Sequence, residues 1–245
     1  MLDLEERGET RIVRLAHGKV NALDVELLQA IEETFKGLDS GSAVVLTGAG
    51  RALSAGVDLK RITDGGPEYV KVFRPALSAA IKSVFYHPGP VVAAVNGHAI
   101  AGGCVLAAAC DIRLMSGGTI GLTELTVGVP FPGVALEVMR HAVGPATGRF
   151  VLGAELLPPA DALAAGLIHR VTEPEALLDE AIGEAERLAR IPAEVFAFSK
   201  RQLQRPARER IDALNPADDE MATQLWASPA VKDAIAGFMG DLKQR

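Results

Sequence analysis

Residues 96–111 combine a glycine turn with an apolar helix in a way that can hold negative charge. Their sequence, N-G-H-A-I-A-G-G-C-V-L-A-A-A-C-D, follows an apolar run at residues 91–95 that predicts a buried strand. Gly102 and Gly103 predict a tight turn into a helix whose first backbone N–H groups have no partner within the helix. Such groups can bind an anion, or an oxygen that becomes negative during a reaction.

A second glycine turn lies around Gly56, in the loop T-G-A-G-R-A-L-S-A-G-V-D at residues 47–58. It also follows a β pattern, at residues 43–46, and it also offers a backbone N–H group. Two such donors directed at one carbonyl oxygen form an oxyanion hole, which stabilises anionic intermediates of acyl chemistry. Each turn alone is more often only a tight turn, so the pair is the more informative feature.

Glu124 is a carboxylate with apolar neighbours, in the stretch G-L-T-E-L-T-V-G-V-P at residues 121–130. The stretch contains no basic residue that could hold the carboxylate in its ionised form. An apolar environment raises the pKa of a carboxyl group and suits it to act as a base near neutral pH. The alternative is a solvent-facing glutamate in a loop.

Other catalytic motifs are missing or incomplete. The loop at residues 47–58 contains G-x-G, but Leu53 occupies the position of the third glycine in a dinucleotide fingerprint. The sequence has no Walker motif, no G-x-S-x-G and no evident order of serine, histidine and aspartate. The five histidines do not cluster, and we interpret His98 as a structural or pocket-lining residue. We therefore expect no metal ion and no separate cofactor.

The elements that must position these groups alternate between strands and helices. Short β patterns predict strands at residues 11–15, 43–46, 91–95, 112–115 and 119–122. Helical spacing, with Asp24 as the first N-cap, predicts helices at residues 24–38, 69–86, 102–110, 134–142, 146–152, 159–164 and 175–189. This alternation predicts an α/β fold with a mostly parallel sheet, and the pattern from residue 193 onward is helical only.

Composition narrows the class of protein and of partner. The 245 residues are 49% hydrophobic and 23% charged, which is ordinary for a globular domain, and the net charge of −6 disfavours nucleic acid and anionic membranes. Cys104 and Cys110 have no metal-binding spacing, so we interpret both as core residues in a reducing compartment. The acidic start does not resemble a targeting peptide, and no apolar run is long enough to span a bilayer. We expect a cytoplasmic location.

The ordered motifs resemble those of the enoyl-CoA hydratase/isomerase (crotonase) superfamily. The resemblance covers most of the chain and rests on N-A-L at residues 21–23, S-A-G-V-D-L at 54–59, the 96–111 and 121–130 segments, and A-G-L-I-H-R-V at 165–171. It implies a ClpP-like α/β spiral of ββα repeats over residues 1–192 and a C-terminal helical trimerisation region over residues 193–245. It also implies an acyl-CoA thioester substrate and assembly into a homotrimer or a hexamer of two trimers.

The same resemblance implies roles for individual residues. The backbone N–H groups of Val57 and Gly102 would form the oxyanion hole, and Glu124 would be the catalytic acid/base. Coenzyme A would be part of the substrate rather than a cofactor. The residues implied to bind the substrate are Asn21, Ala22, Leu23, Ala55, Gly56, Asp58, His98, Gly103, Val105 and Phe238.

Val105 departs from the pattern of the family's hydratases, which use two glutamates. It occupies the first of those positions, in G-G-C-V-L where G-G-C-E-L is expected. Valine cannot transfer a proton, and loss of an acid/base group typically costs about 100- to 10,000-fold in rate. Migration of a double bond needs one carboxylate only, so the resemblance is greatest to the one-glutamate Δ3,Δ2-enoyl-CoA isomerases.

Two other functions stay open at this point. The chain could be a hydratase, or carry out another crotonase reaction such as decarboxylation or thioester hydrolysis, with Glu137 or Asp58 supplying the missing group. It could also be an acyl-CoA-binding protein without catalytic activity. The retained Glu124 and the two glycine turns disfavour this last alternative.

Overall fold

Short strands and longer helices alternate along the first two thirds of the chain. The computed structural model describes the backbone of residues 1–214 and 216–244, and side chains as far as residue 240. The strands are β1 (Leu2–Arg7), β2 (Thr10–Leu15), β3 (Ala43–Gly48), β4 (Ala52–Ser54), β5 (Val91–Val95), β6 (His98–Ile100), β7 (Ile112–Met115), β8 (Ile120–Gly121), β9 (Leu156–Leu157) and β10 (Arg170–Val171).

In the first part of the chain helices follow pairs of strands, and after β10 the described elements are helices only. They are α1 (Val25–Gly37), α2 (Leu59–Tyr86), α3 (Gly102–Ala108), α4 (Glu124–Val127), α5 (Gly133–Val143), α6 (Thr147–Gly153), α7 (Pro159–Ala164), α8 (Leu177–Ala189), α9 (Ala193–Asp212), α10 (Pro216–Trp226) and α11 (Pro229–Gln244). The order β3-β4-α2, β5-β6-α3 and β7-β8-α4 is the spiral of ββα repeats that the family resemblance implied.

Each ββα repeat contributes one strand to each of two sheets. The first strands join a six-stranded sheet in the order β1-β2-β3-β5-β7-β10, and the second strands join a four-stranded sheet in the order β4-β6-β8-β9. Neighbours pair in parallel except β1 with β2 and β8 with β9. Gly56 and Gly102 therefore lie at equivalent places in successive repeats, where the second strand of a repeat leads into its helix.

Both faces of the six-stranded sheet are covered, which explains the continuous apolar runs of β3 and β5. On one face Val45 and Val92 pack against Ala181 and Ala185 of α8. The other face belongs to the larger core, which α1, α2 and α3 share with the second sheet. Cys104 and Cys110 are both buried in this larger core, as predicted.

The structure confirms some predicted elements and corrects others. Asp24 caps α1 by accepting a hydrogen bond from the Leu27 backbone N–H, as predicted. The helix predicted at residues 69–86 begins earlier, at Leu59, because the chain continues through a kink at Gly66, whose φ of 59° suits glycine. The alternative interpretation of Glu124 as a solvent-facing loop residue is wrong, since Glu124 is buried and opens the one-turn helix α4.

The acidic N-terminal residues form β1, which the sequence did not predict. Apolar residues alternate only at Leu2 and Leu4, and all of β1 except Leu2 is exposed, so the pattern is too short to mark a half-buried strand. Backbone pairing with β2 holds it in place, with Leu2 opposite Leu15. No helix in the described part of the chain has the length and apolar composition needed to cross a membrane.

Candidate active site

One small, mostly apolar cavity contains the main groups that the sequence singled out. It lies between the spiral and α10, and helices α2, α3, α4 and α5 also contribute to its wall. Its lining residues are Val57, Leu77, Ile81, Gly102, Val105, Glu124, Pro132, Ala135 and Trp226. Val57, Gly102, Val105 and Glu124, which are up to 67 positions apart (124 − 57), therefore meet at one site.

Val57 and Gly102 reach the cavity at equivalent turns of two successive repeats. Val57 follows β4 and forms an isolated parallel bridge with Leu23, while Gly102 is the first residue of α3. Within the part of the chain that the structure describes, no hydrogen bond uses the backbone N–H of either residue. Two unpaired N–H groups in the wall of one cavity are the arrangement that an oxyanion hole requires.

Close backbone contacts explain the glycines beside these two amides. Gly56 has a φ of 87°, and a Cβ atom there would lie 2.7 Å from the Ile100 carbonyl oxygen. A Cβ on Gly103 would lie 2.4 Å from the Ser54 carbonyl oxygen. These contacts are shorter than a real Cβ atom allows, so both glycines bring the turn after β4 close to the start of α3. Gly56 and Gly103 therefore allow the close backbone approach beside Val57 and Gly102, and their role in substrate binding stays a prediction.

Glu124 is the ionisable group of the cavity. Its side chain is only 7% exposed, and burial raises its pKa from 4.5 to about 7. Hydrogen bonds from the backbone N–H groups of Glu124 itself and of Thr123, the latter at 3.0 Å, partly oppose this rise by stabilising the carboxylate. A carboxyl group with a pKa near neutral pH can both accept and return a proton, as a proton shuttle must.

No second carboxylate lies in the described wall of the cavity. Val105 is buried there, and it is the residue that the sequence resemblance matches to the first glutamate of the hydratases. Glu137 is buried elsewhere and is held by Arg140, at 2.5 Å, and by Arg210. Asp58 accepts a hydrogen bond from the Arg61 backbone N–H at 3.0 Å and caps α2. Both alternative carboxylates are therefore engaged in structural contacts.

Several other residues that the resemblance implied lie beside the cavity in structural positions. The buried Asn21 amide donates to the carbonyl oxygens of Ala52 and Leu53, at 2.9 and 3.2 Å, and so fixes the loop that leads to Val57. Leu23 is fully buried against Gly102. Ala22 and Ala55 flank these contacts and are partly exposed. At Ala22 and Ala55, only backbone atoms and a methyl group are available to contact a ligand.

His98 and Phe238 lie outside the wall of the cavity. His98 is exposed at the start of β6, where its Nδ1 atom is 3.0 Å from the Thr119 hydroxyl. Phe238 is partly buried on α11 and packs against the main core. The substrate-binding roles of His98 as a pocket-lining residue, and of Phe238 near the nucleotide end, therefore stay predictions.

Sequence reasoning missed the wall of the cavity contributed by helices. Leu77 and Ile81 come from α2, Pro132 and Ala135 from the region that begins α5, and Trp226 from α10. Leu77 and Ile81 follow ordinary helical apolar spacing, which marks a buried face but not what that face contacts. Trp226 was visible as the sole tryptophan, yet nothing local indicates that α10 folds back onto the spiral.

A larger cavity of about 440 Å³ lies between α5, α8 and α9, and its buried charges are paired. Lys200 donates to the Asp111 carboxylate at 2.7 Å and to the Gly89 carbonyl oxygen at 3.0 Å. The Arg113 guanidinium donates to two backbone carbonyl oxygens, at 2.8 and 3.0 Å. These contacts tie α9 and the loop after α7 to the sheet, so they serve the fold rather than a reaction.

Comparison with known proteins gives one consistent family. A sequence model described as enoyl-CoA hydratase/isomerase matches residues 10–245. A Thermus thermophilus relative that bears an enoyl-CoA hydratase name is 37% identical and covers 76% of each chain. The rat "Enoyl-CoA delta isomerase 1, mitochondrial" is 24% identical over 99% of this chain and 87% of its own. The fold matches that of human mitochondrial Δ3,Δ2-enoyl-CoA isomerase with a TM-score of 0.92, covering 99% of this chain and 98% of the human one at 22% identity.

Proposed function

We propose that this chain, which belongs to the enoyl-CoA hydratase/isomerase family, is a Δ3,Δ2-enoyl-CoA isomerase with Glu124 as its single proton shuttle. Enzymes of this family act on acyl-CoA thioesters. The observation that carries the finer proposal is the composition of the cavity: Glu124 is the one ionisable side chain in its described wall. The apolar Val105 side chain stands where a hydratase has its other glutamate.

The proposed reaction moves one proton and one double bond. The N–H groups of Val57 and Gly102 donate to the thioester carbonyl oxygen of a 3-enoyl-CoA. The Glu124 carboxylate takes a proton from C2, and the electrons of that C–H bond pass into the conjugated system to form a dienolate. The protonated Glu124 then gives the proton to C4, which leaves the double bond between C2 and C3. Nothing is added to or lost from the substrate.

The cavity wall favours this chemistry over hydration. Leu77, Ile81, Val105 and Ala135 present only hydrocarbon to the space beside Glu124. Such a wall strengthens the interaction of the dienolate with its N–H donors and disfavours an ordered water molecule at the double bond. The pKa of about 7 suits both halves of the proton transfer, because neither ionisation state of Glu124 is strongly preferred at neutral pH.

Hydration of a 2-enoyl-CoA is the second candidate, and the name of the Thermus relative favours it. A hydratase must hold a water molecule, deprotonate it and protonate the neighbouring carbon. Glu124 alone would have to perform all of this, since Glu137 is bound to Arg140 and Arg210. We therefore rank hydration second.

Replacement of Glu124 tests the proposed proton shuttle. Glu124→Gln keeps the size of the side chain but removes the acid/base group, so we expect kcat for 3-hexenoyl-CoA to fall about 100- to 10,000-fold. Hexanoyl-CoA should still bind, because the N–H donors are unchanged. The control is Glu33→Gln, which alters an exposed glutamate on α1 and should leave kcat unchanged. Full activity of Glu124→Gln would show that Glu124 is not the base.

We also propose that residues 193–245 form the oligomerisation region of a homotrimer or of a hexamer of two trimers. Proteins of this family are typically oligomeric. In this chain α9 exposes three large apolar side chains, of Val195, Phe198 and Leu203, at 55, 51 and 72%. Apolar exposure of this extent along one helix is typical of a contact surface. Sedimentation equilibrium should give three or six times the mass of one chain, and a monomer would refute the proposal.

A further inference from the structure

Trp226 is the one residue from beyond position 192 in the described wall of the cavity. It ends α10 and is 3% exposed, although the helix that carries it is mostly exposed. The remaining wall residues belong to the spiral and include the oxyanion donors, Glu124 and the apolar side chains of α2 and α5. The indole therefore closes the cavity from the outside, opposite groups that the spiral fixes in place.

The contacts of the Trp226 indole leave only its apolar surface for a ligand. Its Nε1–H donates to the Pro130 carbonyl oxygen at 2.9 Å, so the polar edge of the ring is already satisfied. One face of the ring lies near Phe73, with centroids 6.1 Å apart, and Phe73 stacks on Tyr69 at 6.0 Å. The indole is thus held in one orientation and acts through its shape.

A buried guanidinium fixes the helix that carries Trp226. Arg74 of α2 is 5% exposed and donates to the Asp219 backbone carbonyl oxygen at 2.6 Å and to the Asp219 carboxylate at 2.7 Å. The same guanidinium also contacts the Thr223 hydroxyl. These contacts attach α10 to α2 within the two turns before Trp226, so movement of the indole away from the cavity would strain or break them.

We propose that Trp226 sets the length of the acyl chain that the enzyme accepts. This inference rests on the proposed function, in which the Val57 and Gly102 N–H groups fix the thioester carbonyl. Glu124 then fixes the positions of C2 and C4, so the far end of the chain must extend along the remaining wall. The rigid, apolar indole lies in that wall and limits the length of acyl chain that fits. Short acyl chains end before the ring, and longer chains collide with it.

Two substitutions of Trp226 test the inference through the ratio of kcat/KM for 3-dodecenoyl-CoA to that for 3-hexenoyl-CoA. One poorly fitting methylene in an apolar pocket costs about 10- to 200-fold in specificity. Trp226→Ala should therefore raise the ratio at least about tenfold. Trp226→Phe keeps an aromatic ring of smaller size, so its ratio should lie between those of wild type and Trp226→Ala. An unchanged ratio in both folded variants would overturn the proposal.

Binding measurements separate this inference from the proposed reaction. Hexanoyl-CoA and dodecanoyl-CoA cannot isomerise, so their calorimetric Kd values report binding alone. In Trp226→Ala these Kd values should show the same shift in preference towards the longer acyl chain. If wild type does not isomerise 3-enoyl-CoA but the Kd ratio shifts, the proposed function fails and the role of Trp226 stands. If wild type isomerises 3-hexenoyl-CoA and neither ratio shifts, the proposed function stands and the role of Trp226 fails.

Loosening α10 gives a variant that leaves Trp226 itself intact. Asp219→Asn removes the charge that faces Arg74, so we expect the 3-dodecenoyl-CoA to 3-hexenoyl-CoA ratio to rise, by less than with Trp226→Ala. Asp218→Asn changes an exposed neighbour on the same helix and is the matched control. Equal ratios for Asp219→Asn, Asp218→Asn and wild type would show that the Arg74 contact does not position Trp226.

Discussion

Burial of the Glu124 carboxyl group lowers the free energy of unfolding when the group is ionised, and unfolding experiments can measure this effect. The pKa of this group rises from 4.5 to about 7 in the folded chain, mainly because the cavity wall excludes water from the carboxylate. The difference of about 2.5 pKa units (7 − 4.5) corresponds to about 3 kcal/mol, since one unit is about 1.4 kcal/mol. Ionised Glu124 therefore destabilises the folded state by about that amount.

The direction of the pH dependence follows from which state binds the proton more tightly. Folded protein holds the Glu124 proton up to about pH 7, whereas unfolded protein releases it near pH 4.5. The stability associated with the protonated group is complete below the unfolded pKa and declines as pH rises through the folded pKa. Above pH 7 the full penalty applies. Glu124→Gln cannot ionise, so it escapes this penalty.

Urea unfolding of wild type and Glu124→Gln, at equal protein concentration, measures the effect. The free energy of unfolding of the variant minus that of wild type should increase by roughly 2–3 kcal/mol between pH 5 and pH 8.5. Other titrating groups cancel in this difference, and Glu33→Gln serves as the control that should show no trend. A difference that stays constant with pH would refute the elevated pKa and, with it, the idea that Glu124 is tuned as a proton shuttle.

Three further predictions follow from the site and its support. The kcat/KM for 3-hexenoyl-CoA should rise with pH through about 7, because ionised Glu124 is the base in free enzyme; a flat profile from pH 5.5 to 8.5 would exclude that role. Gly56→Ala should lower kcat by up to about 100-fold, because it displaces the Val57 N–H. A variant with the kcat and the melting temperature of wild type would contradict this. Asn21→Ala should lower the free energy of unfolding by roughly 1–3 kcal/mol, because buried carbonyl oxygens lose their donor; calorimetry that shows no loss would refute the structural role.

The sequence predicted the parts of the fold that have strong local signals. The apolar strands at residues 91–95 and 112–115 have the predicted bounds, and Asp24 is the predicted cap of α1. In the four-stranded sheet, β4 and β6 have three residues each and are too short to show a period. α4 is equally hard to predict, since one helical turn ending at Gly128 resembles a loop.

The candidate site was predictable where backbone turns carry it and unpredictable where tertiary contacts build it. The glycines around Val57 and Gly102 mark close backbone contacts, and such contacts leave a signature in the sequence. Trp226 reaches the cavity only because Arg74 and Asp219, which are 145 positions apart, hold α10 on α2. Nothing in the local sequence of α10 encodes that contact. The part of the cavity wall that Trp226 forms could therefore be identified only from the structure.

The relative rates on two substrates test the proposed reaction most directly. Wild-type enzyme is incubated separately with 3-hexenoyl-CoA and with crotonyl-CoA, and kcat/KM is measured for loss of each. A single buried carboxylate beside Val105 predicts that kcat/KM for isomerisation of 3-hexenoyl-CoA exceeds that for hydration of crotonyl-CoA by at least about 100-fold. Hydration of crotonyl-CoA as fast as, or faster than, isomerisation of 3-hexenoyl-CoA would contradict the assignment of this site as an isomerase.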